Sequence, residues 1–200
     1  MIRFEYLDKS TPYKKFKYFY NRASLKSEKN IDAACISSFN TSNKEITSRF
    51  VNIKYVKKNK LFFFSNYNSP KALDFSLHDQ VAVNFFWKTI NVQIRILGHI
   101  KKASSQESDK HFEKRDVNSN ALAISSNQSN IIKSYSEVRS NFNKTLQSET
   151  FKKRKRPKYW GGYSIKPYYF EFWTGRKHRL NERQAFELRA AGWAKYFLEP

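Results

Sequence analysis

The chain contains a single cysteine, Cys35, among its 200 residues. One cysteine cannot form a disulfide within the chain, and a metal site built on cysteine ligands is excluded. Cys35 lies in the apolar run at residues 31–36, so we expect a small buried hydrophobic side chain. The histidines are also too scattered for metal-ligand spacing, so we expect no metal; they stand at positions 78, 99, 111 and 178.

Acidic residues and long apolar runs are scarce as well. Lys and Arg number 38 against 17 Asp and Glu, which gives a formal net charge of +21. This excess favours an anionic partner, either nucleic acid, an acidic membrane surface or a phosphorylated small molecule. A coding bias towards Lys and Asn is an alternative source of much of it, so charge alone does not identify the ligand.

No run of about 18 apolar residues is present to span a membrane. The N-terminus lacks the apolar segment of a signal peptide. We therefore expect a cytoplasmic protein without a membrane partner. A hydrophobic content of 40% and an aromatic content of 17% favour a folded chain over a disordered one.

The order of local patterns predicts a single α+β domain over residues 1–200. Thr11-Pro12 and Ser69-Pro70 each pair a capping residue with proline, which predicts two helix starts. Strands are predicted at 31–38, 49–56, 61–65, 81–87 and 92–100. Mostly strands with added helices indicate an antiparallel, Greek-key-like barrel with peripheral helices.

Four further segments complete the domain. An N-terminal arm and helix occupy 1–28, and a polar helical excursion occupies 104–148. A basic loop at 149–158 precedes the C-terminal strands at 159–200. The lysine- and arginine-rich run at 152–158 is similar to a nucleic-acid patch, but no nucleic-acid-binding module surrounds it, so we favour a solvated loop and expect no nucleic-acid partner.

The most informative stretch is residues 170–183, which read FEFWTGRKHRLNER. Aromatic residues alternate up to Trp173, Gly175 turns the chain, and five residues that can carry positive charge follow within nine positions. A flat ring beside a cluster of fixed cations suits a planar, anionic ligand.

Several upstream segments are candidate phosphate sites. Arg49 and Lys54 lie five apart on a predicted strand, hence on opposite faces unless a twist brings both to one cleft; a surface cation pair is the alternative. The turn from Ser65 to Lys71 offers helix-start N–H groups, a hydroxyl and a lysine to a phosphate.

A second set of candidates recurs at a spacing of four: His111, Arg115 and Ser119. On one helix, successive members would share a face and one phosphate, although a solvated face is the alternative. The chain has no nucleophile elbow, Walker loop, GxGxxG motif or evident carboxylate pair. If it is an enzyme, a cofactor therefore supplies the chemistry.

Taken in order, these segments resemble the pyridoxamine 5'-phosphate oxidase family of FMN enzymes. The resemblance covers nearly the whole chain, from about Thr11 to Pro200. It rests on Arg49-Phe50-Val51-Asn52-Ile53-Lys54, Phe63-Phe64-Ser65-Asn66, Ser69-Pro70-Lys71, Phe86-Trp87 with Gln93, Gln128-Ser129, Trp160-Gly161-Gly162, Phe172-Trp173 through His178-Arg179-Leu180 to Arg183, and the ending from Trp193 to Pro200.

The resemblance implies an FMN-binding split β-barrel homodimer with two FMN sites at the subunit interface. The FMN contacts that it implies are Arg49, Ser65, Lys71, Gln93, Gln128, Ser129, Trp173 and Arg183. The residues that it implies for the substrate phosphate are Lys54, His111, Arg115 and Ser119. It also implies that Arg179 and Asn181 face the substrate ring as the catalytic residues.

The chain departs from the family pattern at three positions. Pro70 stands in place of an arginine, which leaves Lys71 and the helix-start N–H groups to hold the FMN phosphate. His111 replaces a tyrosine, and its charge would make binding pH-dependent. Asn181 replaces a histidine and cannot act as an acid or base.

The resemblance implies an oxidase that converts pyridoxamine or pyridoxine 5'-phosphate to pyridoxal 5'-phosphate, with O2 as electron acceptor and H2O2 as product. One alternative is a related flavin oxidase with a phenazine-like substrate, which would not need the cluster of Lys54, Arg115 and Ser119. Another is a non-catalytic basic protein that binds nucleic acid or pyridoxal 5'-phosphate. Bound flavin would argue against its nucleic-acid version.

Overall fold

A computed structural model of the protein describes residues 1–148, 151 and 155–200. The strands are β1 Arg3–Glu5, β2 Ala33–Asn40, β3 Glu45–Asn52, β4 Tyr55–Lys57, β5 Lys60–Asn66, β6 Gln80–Trp87, β7 Val92–Lys102, β8 Trp160–Thr174, β9 Glu182–Arg189 and β10 Gly192–Leu198. The helices are α1 Thr11–Leu25, α2 Pro70–Leu77, α3 Ser105–Lys114, α4 Val117–Ser125 and α5 Tyr135–Gln147. The first three residues of the basic run at 152–158 lie outside the described residues.

The strands form one sheet in the order β1-β4-β5-β8-β7-β6-β2-β3, and β9 and β10 extend it from β8. All described pairs are antiparallel except β1 with β4. The predicted α+β class is therefore confirmed. In the part of the chain that the structure describes, no helix is long and apolar enough to cross a bilayer.

Helix α1 packs its aromatic face into the core as predicted. Tyr13, Phe16 and Phe19 are buried, and the Phe16 ring lies 5.3 Å from that of Phe85 on β6. Edge-to-face pairs of this kind add about 0.5–1.5 kcal/mol each beyond area burial. The helix cap is Ser10, one residue before the predicted Thr11. The Ser69-Pro70 start of α2 is as predicted.

Alternation on β7 and β8 separates a core face from an outer face. Phe170 and Phe172 of β8 are buried in the core, whereas Glu171 and Trp173 point to the other face. On β7, Ile94 is buried in the core as predicted. The outer face of these strands therefore carries polar groups and one indole ring.

The strand predicted over 49–56 is interrupted. Strand β3 ends at Asn52 and β4 begins at Tyr55, because the backbone N–H of Ile53 bonds to the carbonyl of Asp32 at 2.8 Å and that of Lys54 to Phe62 at 2.8 Å. The break removes the regular alternation on which the opposite-face expectation for residues 49 and 54 rests.

Two further expectations need correction. Cys35 is half-buried, since Ala34 and Ile36 take the inward positions of β2 and leave Cys35 on the opposite face. The N-terminal arm contains the short strand β1, which three residues of weak pattern did not reveal. The excursion at 104–148 is helical as expected, but it divides into three helices.

Candidate functional site

A cavity of about 530 Å³ opens beside β3, β5, the start of α2 and the junction of α3 with α4. Among the residues that the structure describes, four cationic side chains line it, Arg49, Lys54, Lys71 and Arg115, and no carboxylate does. Eight predicted site residues meet here, namely Arg49, Lys54, Ser65, Lys71, His111, Arg115, Gln128 and Ser129. The volume falls in the usual range for small-molecule sites.

Lys71 is buried at the start of α2. Its Nζ donates to the Ser69 hydroxyl at 3.0 Å and to Gln128 Oε1 at 3.1 Å. The Ser65 hydroxyl donates to the same Gln128 oxygen at 3.2 Å. Burial, reinforced by the charge of Arg49, lowers the pKa of Lys71 to about 8. These partners are neutral, so this corner of the cavity suits a bound anion.

Arg49 is held from behind by a carboxylate that sequence reasoning missed. Its Nη1 donates to Ser38 Oγ at 2.7 Å, and its Nη2 lies 3.6 Å from Oδ2 of Asp74. Asp74 is buried in α2 and also accepts from Ser38 and Thr47. Burial lowers the pKa of Arg49, while Asp74 opposes the shift. The guanidinium is thereby fixed at the cavity wall.

Lys54 has a similar partner. Its Nζ lies 2.7 Å from Oδ2 of Asp32, which precedes β2. Burial works to raise the pKa of the Asp32 carboxyl, but the hydrogen bond and charge of Lys54 overcome this and hold the pKa below its usual range. The strand break at residues 53–54 brings Lys54 to the same cavity as Arg49.

His111 lines the cavity as a neutral ring. It stacks on Phe64 with centroids 3.7 Å apart, and its Nδ1 lies 2.9 Å from the Tyr55 hydroxyl. Burial first, and then the charges of Arg115, Lys54 and Arg3, lower the pKa of His111 to about 4. With the phenol as donor, Nδ1 accepts and Nε2 carries the proton. The expected charge on His111 is therefore absent near neutral pH.

The three residues at a spacing of four do not share one helix. His111 belongs to α3 and Ser119 to α4, because Asp116 caps a new helix by accepting from the Ser119 N–H at 2.9 Å. Arg115 lies between the helices, donates to the Ser119 carbonyl at 2.6 Å and stacks over Trp160 at 5.0 Å. Ser119 is not among the lining residues.

A second group of predicted residues forms a strip on the outer face of the sheet. Trp173 on β8 pairs with Gln93 on β7 and with Arg183 on β9, so the three side chains stand side by side. Gly175 follows β8, and a Cβ there would displace the Asn91 side-chain amide, whose nitrogen would lie 2.0 Å away. We call Gln93, Trp173 and Arg183 the outer strip. None of the three lines the cavity within this chain.

The predicted catalytic pair lies in the turn that follows. The pair is Arg179 and Asn181. Arg179 and its neighbour His178 have positive φ angles of 62° and 55°, a backbone conformation that costs of order 1–3 kcal/mol per non-glycine residue. Arg179 is exposed, and Asn181 Oδ1 accepts from the Arg176 N–H at 3.1 Å. Neither Arg179 nor Asn181 lines the cavity. Within the ranges 1–148 and 155–200, no group of three His, Cys, Asp or Glu side chains could hold a metal ion.

Two family models match this chain. The family model described as "Pyridoxamine 5'-phosphate oxidase" matches residues 25–148, and that described as "Pyridoxine 5'-phosphate oxidase C-terminal dimerisation region" matches 160–200. Two relatives are each named "Pyridoxine/pyridoxamine 5'-phosphate oxidase". The protein of Leptospira biflexa is 36% identical, and the match covers 92% of this chain and 87% of the relative. The protein of Christiangramia forsetii is 34% identical, and the match covers 94% of this chain and 88% of the relative.

Solved structures confirm the predicted split-barrel fold. PhzG from Burkholderia lata, solved with tetrahydrophenazine-1-carboxylic acid, matches with a TM-score of 0.87 at 23% identity and covers 96% of this chain and 93% of its own. A pyridoxamine 5'-phosphate oxidase-related, FMN-binding protein from Nostoc punctiforme matches with a TM-score of 0.79 at 12% identity, with 96% and 100% covered.

Proposed function

Because the chain belongs to the pyridoxine/pyridoxamine 5'-phosphate oxidase family, we propose that it is an FMN-dependent oxidase. Its substrates are pyridoxamine or pyridoxine 5'-phosphate, its product is pyridoxal 5'-phosphate, and O2 is reduced to H2O2. The observation that carries this proposal is the cavity that, within residues 1–148 and 155–200, is lined by four cations and no carboxylate. A cofactor and a substrate that each bear a phosphate dianion require such a cavity.

The residues around Lys71 fit the FMN phosphate. The partners of Lys71 in the described part of the chain are neutral oxygens, and Arg49 lies close enough to lower its pKa. A dianion between them would relieve this repulsion and accept from the Ser65 hydroxyl and the backbone N–H of Lys71. The N–H groups of Ala72 and Leu73 already donate to the Ser69 carbonyl, at 2.9 and 3.3 Å. Pro70 has no N–H or charge to offer, so the phosphate relies on Lys71 and Arg49.

The substrate phosphate belongs at the other end of the cavity. Lys54, Arg115 and the neutral His111 ring converge there. Asp32 and Tyr55 hold two of these side chains in place. A neutral Nε2–H donates a hydrogen bond to a phosphate as a tyrosine hydroxyl would. Ser119 keeps its predicted place in this group only if its side chain turns towards the cavity.

When bound, FMN supplies the acceptor for a hydride from substrate C4' and passes the electrons on to O2. The chain's own residues align the two rings by anchoring both phosphates, a proximity effect. Trp173 offers a flat wall, and Arg179 stabilises charge that develops on the substrate ring. Asn181 cannot exchange protons at neutral pH, so its part is to orient the substrate.

The complete site takes residues from two subunits. The family model for a dimerisation region covers Trp173, Arg179, Asn181 and Arg183. Gln93 lies on the adjacent strand β7. Since none of them lines the cavity of their own chain, we place them against the cavity of a second copy. A two-fold homodimer then contains two equivalent sites.

A phenazine-type substrate is the second candidate, favoured by the likeness to PhzG in fold. Lys54 and Arg115 argue for a phosphorylated substrate instead, because a substrate without phosphate offers no anionic group to the two cations that line the cavity.

The test is aerobic incubation of the FMN-loaded protein with pyridoxamine 5'-phosphate, following aldehyde and peroxide together. We expect equal amounts of both products, and far slower turnover of pyridoxamine without its phosphate. Bound FMN with neither product would refute the oxidase and leave a binding protein of the same fold.

A further inference from the structure

A buried carboxylate lies beneath the outer strip. Glu171 on β8 is 2% exposed and points to the same face as Trp173, two residues along the strand. The function proposed above gives it no part. An ionised carboxylate at this depth is costly unless charged and hydrogen-bonding partners surround it.

Four donor groups converge on this carboxylate. Glu171 Oε1 lies 2.9 Å from both Nε and Nη2 of Arg183. Glu171 Oε2 accepts from Nη1 of Arg95 at 2.9 Å and from the Tyr169 hydroxyl at 3.1 Å. The remaining Nη1 of Arg183 donates to the carbonyl of Glu199 at 2.8 Å. Arg183 is thus held at all three of its nitrogens.

The strand register explains why these groups meet. Arg95 lies opposite Glu171, and Arg183 lies opposite Trp173, on neighbouring strands of one face. The group of Glu171, Arg95 and Arg183, which we call the arginine pair cluster, contains two positive charges and one negative charge. Its net charge is therefore about +1, because the Tyr169 phenol stays neutral at physiological pH.

We propose that Glu171 is a positioning residue that fixes Arg183 against the flavin. Together with Arg95, Glu171 also sets the net charge of the arginine pair cluster, which lies next to the flavin. The inference rests on the proposed function, since it requires FMN against the outer strip. Reduction places more negative charge on the cofactor. A more positive cluster therefore favours the reduced form, and a less positive one favours the oxidised form.

The test measures the two-electron reduction potential of FMN bound to the dimeric protein. Glu171→Gln removes the negative charge with little change of shape and raises the potential. Arg95→Gln removes a positive charge and lowers it. Each change should alter the ratio of reduced to oxidised flavin about tenfold at a fixed potential, which is about 30 mV for a two-electron couple. The double variant restores the net charge and returns the potential towards that of the wild type.

Controls separate this role from a structural one. Glu187→Gln makes the same charge change on β9, where Glu187 pairs with the exposed Arg189, and should leave the potential nearly unchanged. If Glu171→Gln does not fold, Arg95→Gln decides alone, since the Arg95 side chain is half exposed. Shifts of equal sign in the two variants, or no shift with FMN bound, would overturn the inference. A wild-type protein that binds no FMN would instead refute the proposed function.

Discussion

At the scale of single residues, the cavity depends on carboxylates that stand behind its cations. Asp74 holds Arg49 and Asp32 holds Lys54, while neither acid lines the cavity. This arrangement fixes the cations and leaves their outward faces to a ligand. The sequence gives no sign of it, because each acid lies more than 20 positions from its partner.

The lowered pKa of Lys71 makes FMN binding pH-dependent. In the free protein the Lys71 pKa is about 8, and a phosphate dianion favours the ammonium and raises it. Affinity is therefore full below about pH 8, where the ammonium already exists, and declines as pH rises further. Quenching of FMN fluorescence on binding, measured between about pH 7 and 9.5, will follow the decline.

Two variants test the assignment to Lys71. Lys71→Arg keeps its charge over this range and should flatten the profile. Lys71→Met should weaken FMN binding roughly 10- to 100-fold at pH 7, since a charged hydrogen bond contributes about 1.5–3 kcal/mol. A wild-type profile as flat as that of Lys71→Arg would contradict the prediction.

At the scale of elements, local sequence patterns predict helix starts and strand alternation, whereas contacts between distant residues decide where an element breaks. The Ser69-Pro70 pair correctly predicts the start of α2, and the alternation of apolar residues correctly predicts β7. The break between β3 and β4 depends on backbone bonds to Asp32 and Phe62, which no local pattern encodes. Spacing correctly places His111 and Arg115 at one site, but Asp116, between Arg115 and Ser119, caps a new helix and separates Ser119 from the other two.

Asp116 offers a test of this element. Asp116→Ala removes the N-cap of α4 and should lower the free energy of unfolding by about 1 kcal/mol, whereas Asp116→Asn retains a capping side chain. Because Arg115 is bonded to the first turn of α4, the alanine variant should also raise KM for the phosphorylated substrate more than the Kd for FMN. Urea denaturation and steady-state kinetics measure both; equal behaviour of the two variants would count against the cap.

At the scale of the whole molecule, the cavity and the outer strip are separate in one chain and complementary in the proposed dimer. Sequence resemblance named the members of both groups. The resemblance does not show which residues line the cavity and which form the outer strip, because sequence order does not reveal the direction of a side chain. The burial of the core and the register of β7, β8 and β9 separate the two groups.

Mixed dimers test whether the site is shared. Lys71→Met impairs the cavity and Arg183→Gln impairs the outer strip, so each variant alone should lose most of its activity when FMN is not in excess. After co-refolding in equal amounts, half of the dimers combine both chains, and each of these contains one intact site. We expect activity from roughly a quarter of the sites.

A matched control pairs Lys71→Met with Arg49→Gln. Both changes fall in the cavity, so no combination yields an intact site and no activity should return. Absence of recovery in the first mixture as well would place the whole site within one chain.

The edge strand β3 carries a further consequence. Phe50 is 77% exposed there and also lines the cavity wall. If a second copy covers this ring, the cofactor and the partner chain occupy adjoining parts of one surface, and each strengthens the binding of the other by thermodynamic linkage. Dilution of the protein would then release FMN, and loss of FMN would loosen the pair, so supply of the vitamin-derived cofactor would govern how much of the chain is assembled.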